Sequence, residues 1–179
     1  ELIPKDQLLM VDNAKPEIKG NYGAIYQDFK EDIFQALEEG IDKLKKYDRL
    51  ILVYPSKSIH PYPLRIVHGF KFFCQKYDFD FEILDEIYED MEFERKDVYI
   101  TIEEMDLVNL MRQIRARNLT LGTDIGVISY NETPLKELLG ITVISTDFKA
   151  MGETAAYMIL KNKKERVKNV FKYIERNSV

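Results

Sequence analysis

The chain has 179 residues, near the span of one domain, and 45% of them are hydrophobic, enough for a real core. A net charge of -5 makes the chain a poor nucleic-acid binder on its own, and the one locally basic stretch, residues 161–168, reads as a solvated helix end rather than a phosphate track. The single cysteine excludes an intramolecular disulfide and fits a reducing compartment, no signal peptide is read, and no apolar run nears the ~20 residues of a membrane span.

In chain order, β-rich runs at residues 8–11, 50–54, 79–84, 98–102, 125–129 and 141–145 alternate with helical patterns. Residues 28–46 put Ile33, Leu37, Ile41 and Leu44 on one face, and residues 63–77 carry the stripe Val67, Phe70, Phe73, Cys74 and Tyr77. Cys74 is therefore expected to be a buried structural thiol. Residues 103–117 present Leu107, Leu110, Met111 and Ile114; residues 148–162 present Phe148, Met151, Ala155 and Ile159. The runs at 50–53 and 141–144 are apolar with little alternation, as strands covered by helices on both faces are. Stops and starts agree. Thr101 and Glu104 form a capping-box pattern, Asn118 suits a left-handed C-cap, and Thr133-Pro134 opens a short helix that Gly140 ends. The repetition implies an α/β fold, a doubly wound, mainly parallel sheet.

Familiar reaction chemistry is missing. There is no Gly-rich phosphate loop, nucleophile elbow, C-x-x-C pair or H-E-x-x-H pattern. His60 and His68 read as a loop and a helix-surface histidine, not as metal ligands, and no cofactor is implied. An enzyme has no nucleophile, base or metal site to stand on here.

Ligands of open parallel sheets bind beyond the carboxyl ends of the strands. The residues that follow the predicted strands are Asp12 and Asn13; Ser56 to Tyr62, then Arg65; Glu103 and Glu104; Tyr130, Asn131 and Glu132; and Thr146 and Asp147. Carboxylates, amides, hydroxyls and one guanidinium, with aromatics nearby, suit a neutral polyhydroxylated ligand such as a sugar. Arg65 falls in the first turn of its helix, where the dipole disfavours a cation. It either pairs with a local acid at the surface or faces an acceptor-rich ligand.

Several segments resemble the effector-binding domain of LacI/GalR-type transcription regulators. They are residues 124–135 (DIGVISYNETPL), Ile141 to Phe148 with Met151-Gly152 and Ala155-Ala156, the ending Tyr173 to Ser178, the start Arg65 to Phe70, and Leu9 to Asp12. The resemblance implies a periplasmic-binding-protein-like type I fold of two lobes that closes on an effector, usually a sugar or nucleobase, and that forms homodimers in the cytoplasm. The family's effector contacts fall on Asp12, Arg65, Glu103, Asn131 and Thr146. DNA would be bound only through a head outside this chain, of LacI or GntR winged-helix type. Where the family usually has Asn-Asp this chain has Glu103-Glu104, and where it usually has Asp this chain has Asn131. A longer amphipathic stretch from Ile41 to Arg49 replaces the usual Gly-His. Aligned this way, the chain is N-terminally truncated. Residues 1–27 and 147–165 are the remnant of the N-terminal lobe, and 28–146 with 166–179 form a nearly complete C-terminal lobe. Such a piece is expected to expose Phe148, Met151 and Ile159. The alternative on the same fold is the solute-binding protein of a sugar transporter.

Overall fold

The structure is a computed structural model and describes residues 4, 7–13, 18–59 and 61–179. The chain runs β1 (Leu9–Asp12), β2 (Gly23–Tyr26), α1 (Phe29–Glu39), α2 (Ile41–Leu44), β3 (Arg49–Val53), α3 (Arg65–Tyr77), β4 (Asp80–Leu84), β5 (Asp97–Thr101), α4 (Glu104–Ala116), β6 (Gly126–Tyr130), α5 (Pro134–Leu138), β7 (Thr142–Thr146), α6 (Phe148–Leu160), β8 (Arg166–Lys168) and β9 (Phe171–Ile174). It divides into two compact units. One comprises the described residues up to Asp28 with Thr146–Lys172, the other Phe29–Ser145 with Tyr173–Val179.

The larger unit is built on a six-stranded sheet in the order β4-β3-β5-β6-β7-β9. The pairings β3–β4, β3–β5, β5–β6 and β6–β7 are all parallel. Ile51, Val53, Tyr99 and Val127 share one core with Leu107, Leu110 and Ile114 of α4. Leu50 and Leu52 lie on the opposite pleat and are also fully buried, so the sheet is covered on both sides, as its unalternating apolar strands predict. Cys74 is buried in α3, and burial pushes its thiol up to about 12, the state of an inert structural cysteine.

The C-terminal segment is clamped onto this sheet by side chains. Ser178 donates to the Val127 carbonyl (2.5 Å) and accepts from the Thr142 amide (2.7 Å). Arg176 pairs with Glu132 (2.7 Å) and donates to the Ile141 carbonyl (2.8 Å).

The smaller unit is a parallel three-stranded sheet, β1-β2-β8, with α6 packed on β1 and β2. Its core is Ile25, Met151 and Met158. Among the described residues, no helix is long and apolar enough to cross a membrane.

Several local expectations need correction. The capping box fails: Thr101 is the buried last residue of β5 and donates to the Ser129 hydroxyl, and α4 opens at Glu103 without a side-chain cap. The helix expected over 28–46 breaks at Gly40, where a Cβ would lie 2.6 Å from the Tyr173 ring. Met151 is buried, whereas Phe148 and Ile159 are exposed as expected. No sequence pattern announces strands β2 and β8, which are held by parallel pairing with β1 and with each other. The caps at Thr133, Asn118 (φ 53°) and Gly140 (φ 67°) form as read. His68 is exposed on α3, and His60 lies outside the described residues.

Candidate functional site

In the larger unit the chain leaves β3 for one neighbour, β4, and returns to the other, β5, which makes their carboxyl ends the topological switch point. The loop after β3 is folded back by Tyr54, whose hydroxyl donates to the Tyr62 carbonyl (2.6 Å), and by Ser56, which donates to Asp85 (2.7 Å). It delivers Arg65 as the first residue of α3, exposed, in a turn that contains no acidic side chain. The dipole penalty on this guanidinium is therefore not offset from within the helix.

Beyond β5, Glu103 is the N-cap of α4 and lines a cleft of about 380 Å³ with Asp85, Glu86, Asp106, Lys57 and Met105. Arg65 and Asn131 are not part of its lining. Asp106 is 6% exposed and accepts from the Ile87 amide (2.9 Å). Burial raises its pKa, that amide opposes the rise, and the Glu103 and Glu86 charges add to it. A carboxyl raised on folding binds its proton more tightly in the native state. Stability is then lost as pH rises from the unfolded pKa through the raised folded one. Asp106→Asn keeps an acceptor for Ile87 and should remove that loss. Urea melts at several pH values between 4 and 8 should show a smaller fall with pH than the wild type; an unchanged slope would dismiss Asp106 as its source.

Asn131 follows β6 at φ 61°, in the left-handed region. Its amide donates to the Ile144 carbonyl (2.9 Å), which keeps it on the sheet ladder. In the smaller unit Asp12 ends β1 at φ 81°. Asp and Asn enter this region more readily than other non-glycine residues, and Asp78 and Asn118 do so at helix ends of the same chain.

Asp12 and Thr146 come together through a residue that sequence reading missed. The Gln27 backbone amide donates to the Asp12 carbonyl (3.0 Å), its side-chain NH₂ donates to the Asp12 carboxylate, and Thr146 donates to its side-chain oxygen. Gln27 directly follows β2, so the strand-end rule would have found it had the four residues of β2 been read as a strand. Next to Thr146, Asp147 caps α6 through the Ala150 amide (2.9 Å); that bond and Lys172 hold its carboxyl below the usual range. Among the described residues, no group of three or more His, Cys, Asp or Glu side chains could hold a metal ion.

Neither a protein-family model nor a curated protein sequence matches the chain. Solved structures do. A periplasmic-binding ribose operon repressor from Lactobacillus acidophilus superposes with a TM-score of 0.71 at 19% identity, over 96% of this chain and 69% of that one. A periplasmic binding protein/LacI transcriptional regulator from Alkaliphilus metalliredigens, complexed with D-xylulofuranose, gives 0.67 at 16% identity over 96% and 70%. A LacI family transcriptional regulator from Lactobacillus casei with bound glucose gives 0.69 at 12% identity over 97% and 70%. Parallel sheets, strand order and these likenesses together establish that the chain has the α/β, periplasmic-binding-protein-like type I fold of LacI-family effector-binding domains.

Proposed function

We propose that the chain is the sugar-sensing, dimer-forming part of a cytoplasmic bacterial regulator that controls a carbohydrate-utilisation operon. The observation that carries this reading is the polar set at the strand ends, in which Gln27 links Asp12 to Thr146. The fold likeness to regulators with D-xylulofuranose and glucose bound supports it. In this reading Arg65, Asn131, Asp12, Glu103 and Thr146 contact the effector. Residues 1–27 with 147–165 belong to the N-terminal lobe and 28–146 with 166–179 to the C-terminal lobe, except that β8 pairs with β2 and its segment goes with the first. The protein is not an enzyme. The effector works by binding one conformational state more tightly than the other, which changes how a DNA-binding head, LacI-like or GntR-like and outside this chain, meets its operator.

Isothermal titration with D-glucose, D-xylulose, D-ribose and maltose tests the reading, on this chain and on a longer form that carries the head. At least one sugar should bind, and Arg65→Ala or Asn131→Ala should weaken it by about tenfold or more, the worth of one charge-assisted hydrogen bond. Absence of binding by the longer form to every sugar would sink the proposal.

A further inference from the structure

Helix α5 buries its lysine and exposes its leucines. Lys136 is 2% exposed, while Leu135 and Leu138 are 50% and 82% exposed. This reverses ordinary hydrophobic burial, and an ammonium taken out of water is costly unless each of its N–H groups finds an acceptor. The Lys136 ammonium has such a set. It donates to the carbonyls of Tyr130 (2.7 Å) and Asn131 (3.1 Å) and pairs with the Glu104 carboxylate at 3.5 Å.

Those two carbonyls are not arbitrary. The Tyr130 carbonyl belongs to the peptide plane before the Asn131 Cα, and the Asn131 carbonyl to the plane after it. One cation therefore holds both planes whose rotation defines the Asn131 backbone, at the position where that backbone is left-handed (φ 61°). The third contact reaches the first turn of α4, the helix that opens at Glu103.

We infer that Lys136 is a positioning residue, which locks Asn131 in its left-handed conformation and ties it to the α4 turn beside Glu103. Its consequence for ligand binding rests on the sugar-sensor reading; its hold on the backbone does not. Glu104 serves as the counter-charge that lets the lysine stay buried.

The test is amide hydrogen exchange by NMR on the full 179-residue chain, with titrations of D-glucose and D-xylulose. In Lys136→Met the Asn131 amide should exchange about tenfold faster relative to that of Ile128, inside the preceding strand β6, and in Glu104→Gln about twofold faster. The affinity for a bound sugar should fall about tenfold in Lys136→Met, and Asn131→Ala should add little to that loss in the double variant. Equal acceleration at Asn131 and Ile128 would reduce Lys136 to general stabilisation and overturn the inference. So would additive losses of affinity. If Lys136→Met does not fold, the exchange ratio in Glu104→Gln decides by the same criterion. If the wild type binds neither sugar, the sensor reading loses its support for these sugars, and the exchange ratio still decides for Lys136.

Discussion

Gly69→Ala is expected to destabilise the larger unit by about 2 kcal/mol or more, a fall in melting temperature of roughly 4–8 °C for a chain of this size. Gly69 lies inside α3 where that helix crosses α1. A Cβ there would sit 2.2 Å from the Lys30 carbonyl oxygen and 2.6 Å from the Ile33 methyl group. The first neighbour is backbone and cannot swing aside, so the two helices must move apart. Alanine's better helix propensity returns only about 1 kcal/mol, and overpacking against a fixed carbonyl outweighs it. Gly152→Ala is the matched control. It is also mid-helix, in α6, but nothing lies within 4 Å of its added Cβ, so propensity alone acts and stability should rise by about 0.5–1 kcal/mol. Thermal melts followed by circular dichroism should therefore move in opposite directions for the same substitution. A Gly69→Ala protein melting at or above the wild type would refute the close-contact argument.

What was legible in the sequence follows from how each element is stabilised. The unalternating runs at 50–53 and 141–144 are legible because a strand covered on both faces has no polar side to show. Helices α1, α3 and α4 are legible because each buries a single stripe. Strand β2 opens on a glycine, a poor strand former, and β8 lies inside the lysine-rich stretch 161–168; their place comes from parallel pairing with β1 and with each other, which no local pattern encodes. Thr101 was misread for a related reason. Its sequence neighbourhood is a capping box, but the next strand puts the Ser129 hydroxyl within reach, and the tertiary bond displaced the local one. The candidate site divides in the same way. Residues that end readable strands were found from sequence; Gln27 ends an unread one. Lys136 is not legible because a lysine in a one-turn helix reads as solvated, and only the folded loop supplies the carbonyls that bury it.

Gln27 carries the second large effect, on binding rather than stability. Its carboxamide is held at both ends, accepting from Thr146 and donating to Asp12, so it sets the directions in which the remaining lone pairs of both can be offered to a ligand. A sugar hydroxyl that donates to Asp12 makes a charge-assisted hydrogen bond, the strong kind, and its strength depends on the carboxylate being oriented beforehand. On the sugar-sensor reading, Gln27→Ala should weaken the tightest-binding sugar by about thirtyfold, about 2 kcal/mol, while the protein remains folded, because the side chain lies at the end of a strand and outside the Ile25–Met151–Met158 core. The Asp12→Ala variant should lose a similar amount. Because Gln27 acts largely through Asp12, the double variant should lose little more than Asp12→Ala alone, within about twofold. Titration calorimetry on the four proteins measures the cycle. Fully additive losses would mean that Gln27 touches the sugar independently of Asp12, and unchanged affinity in Gln27→Ala would remove the relay from the site altogether.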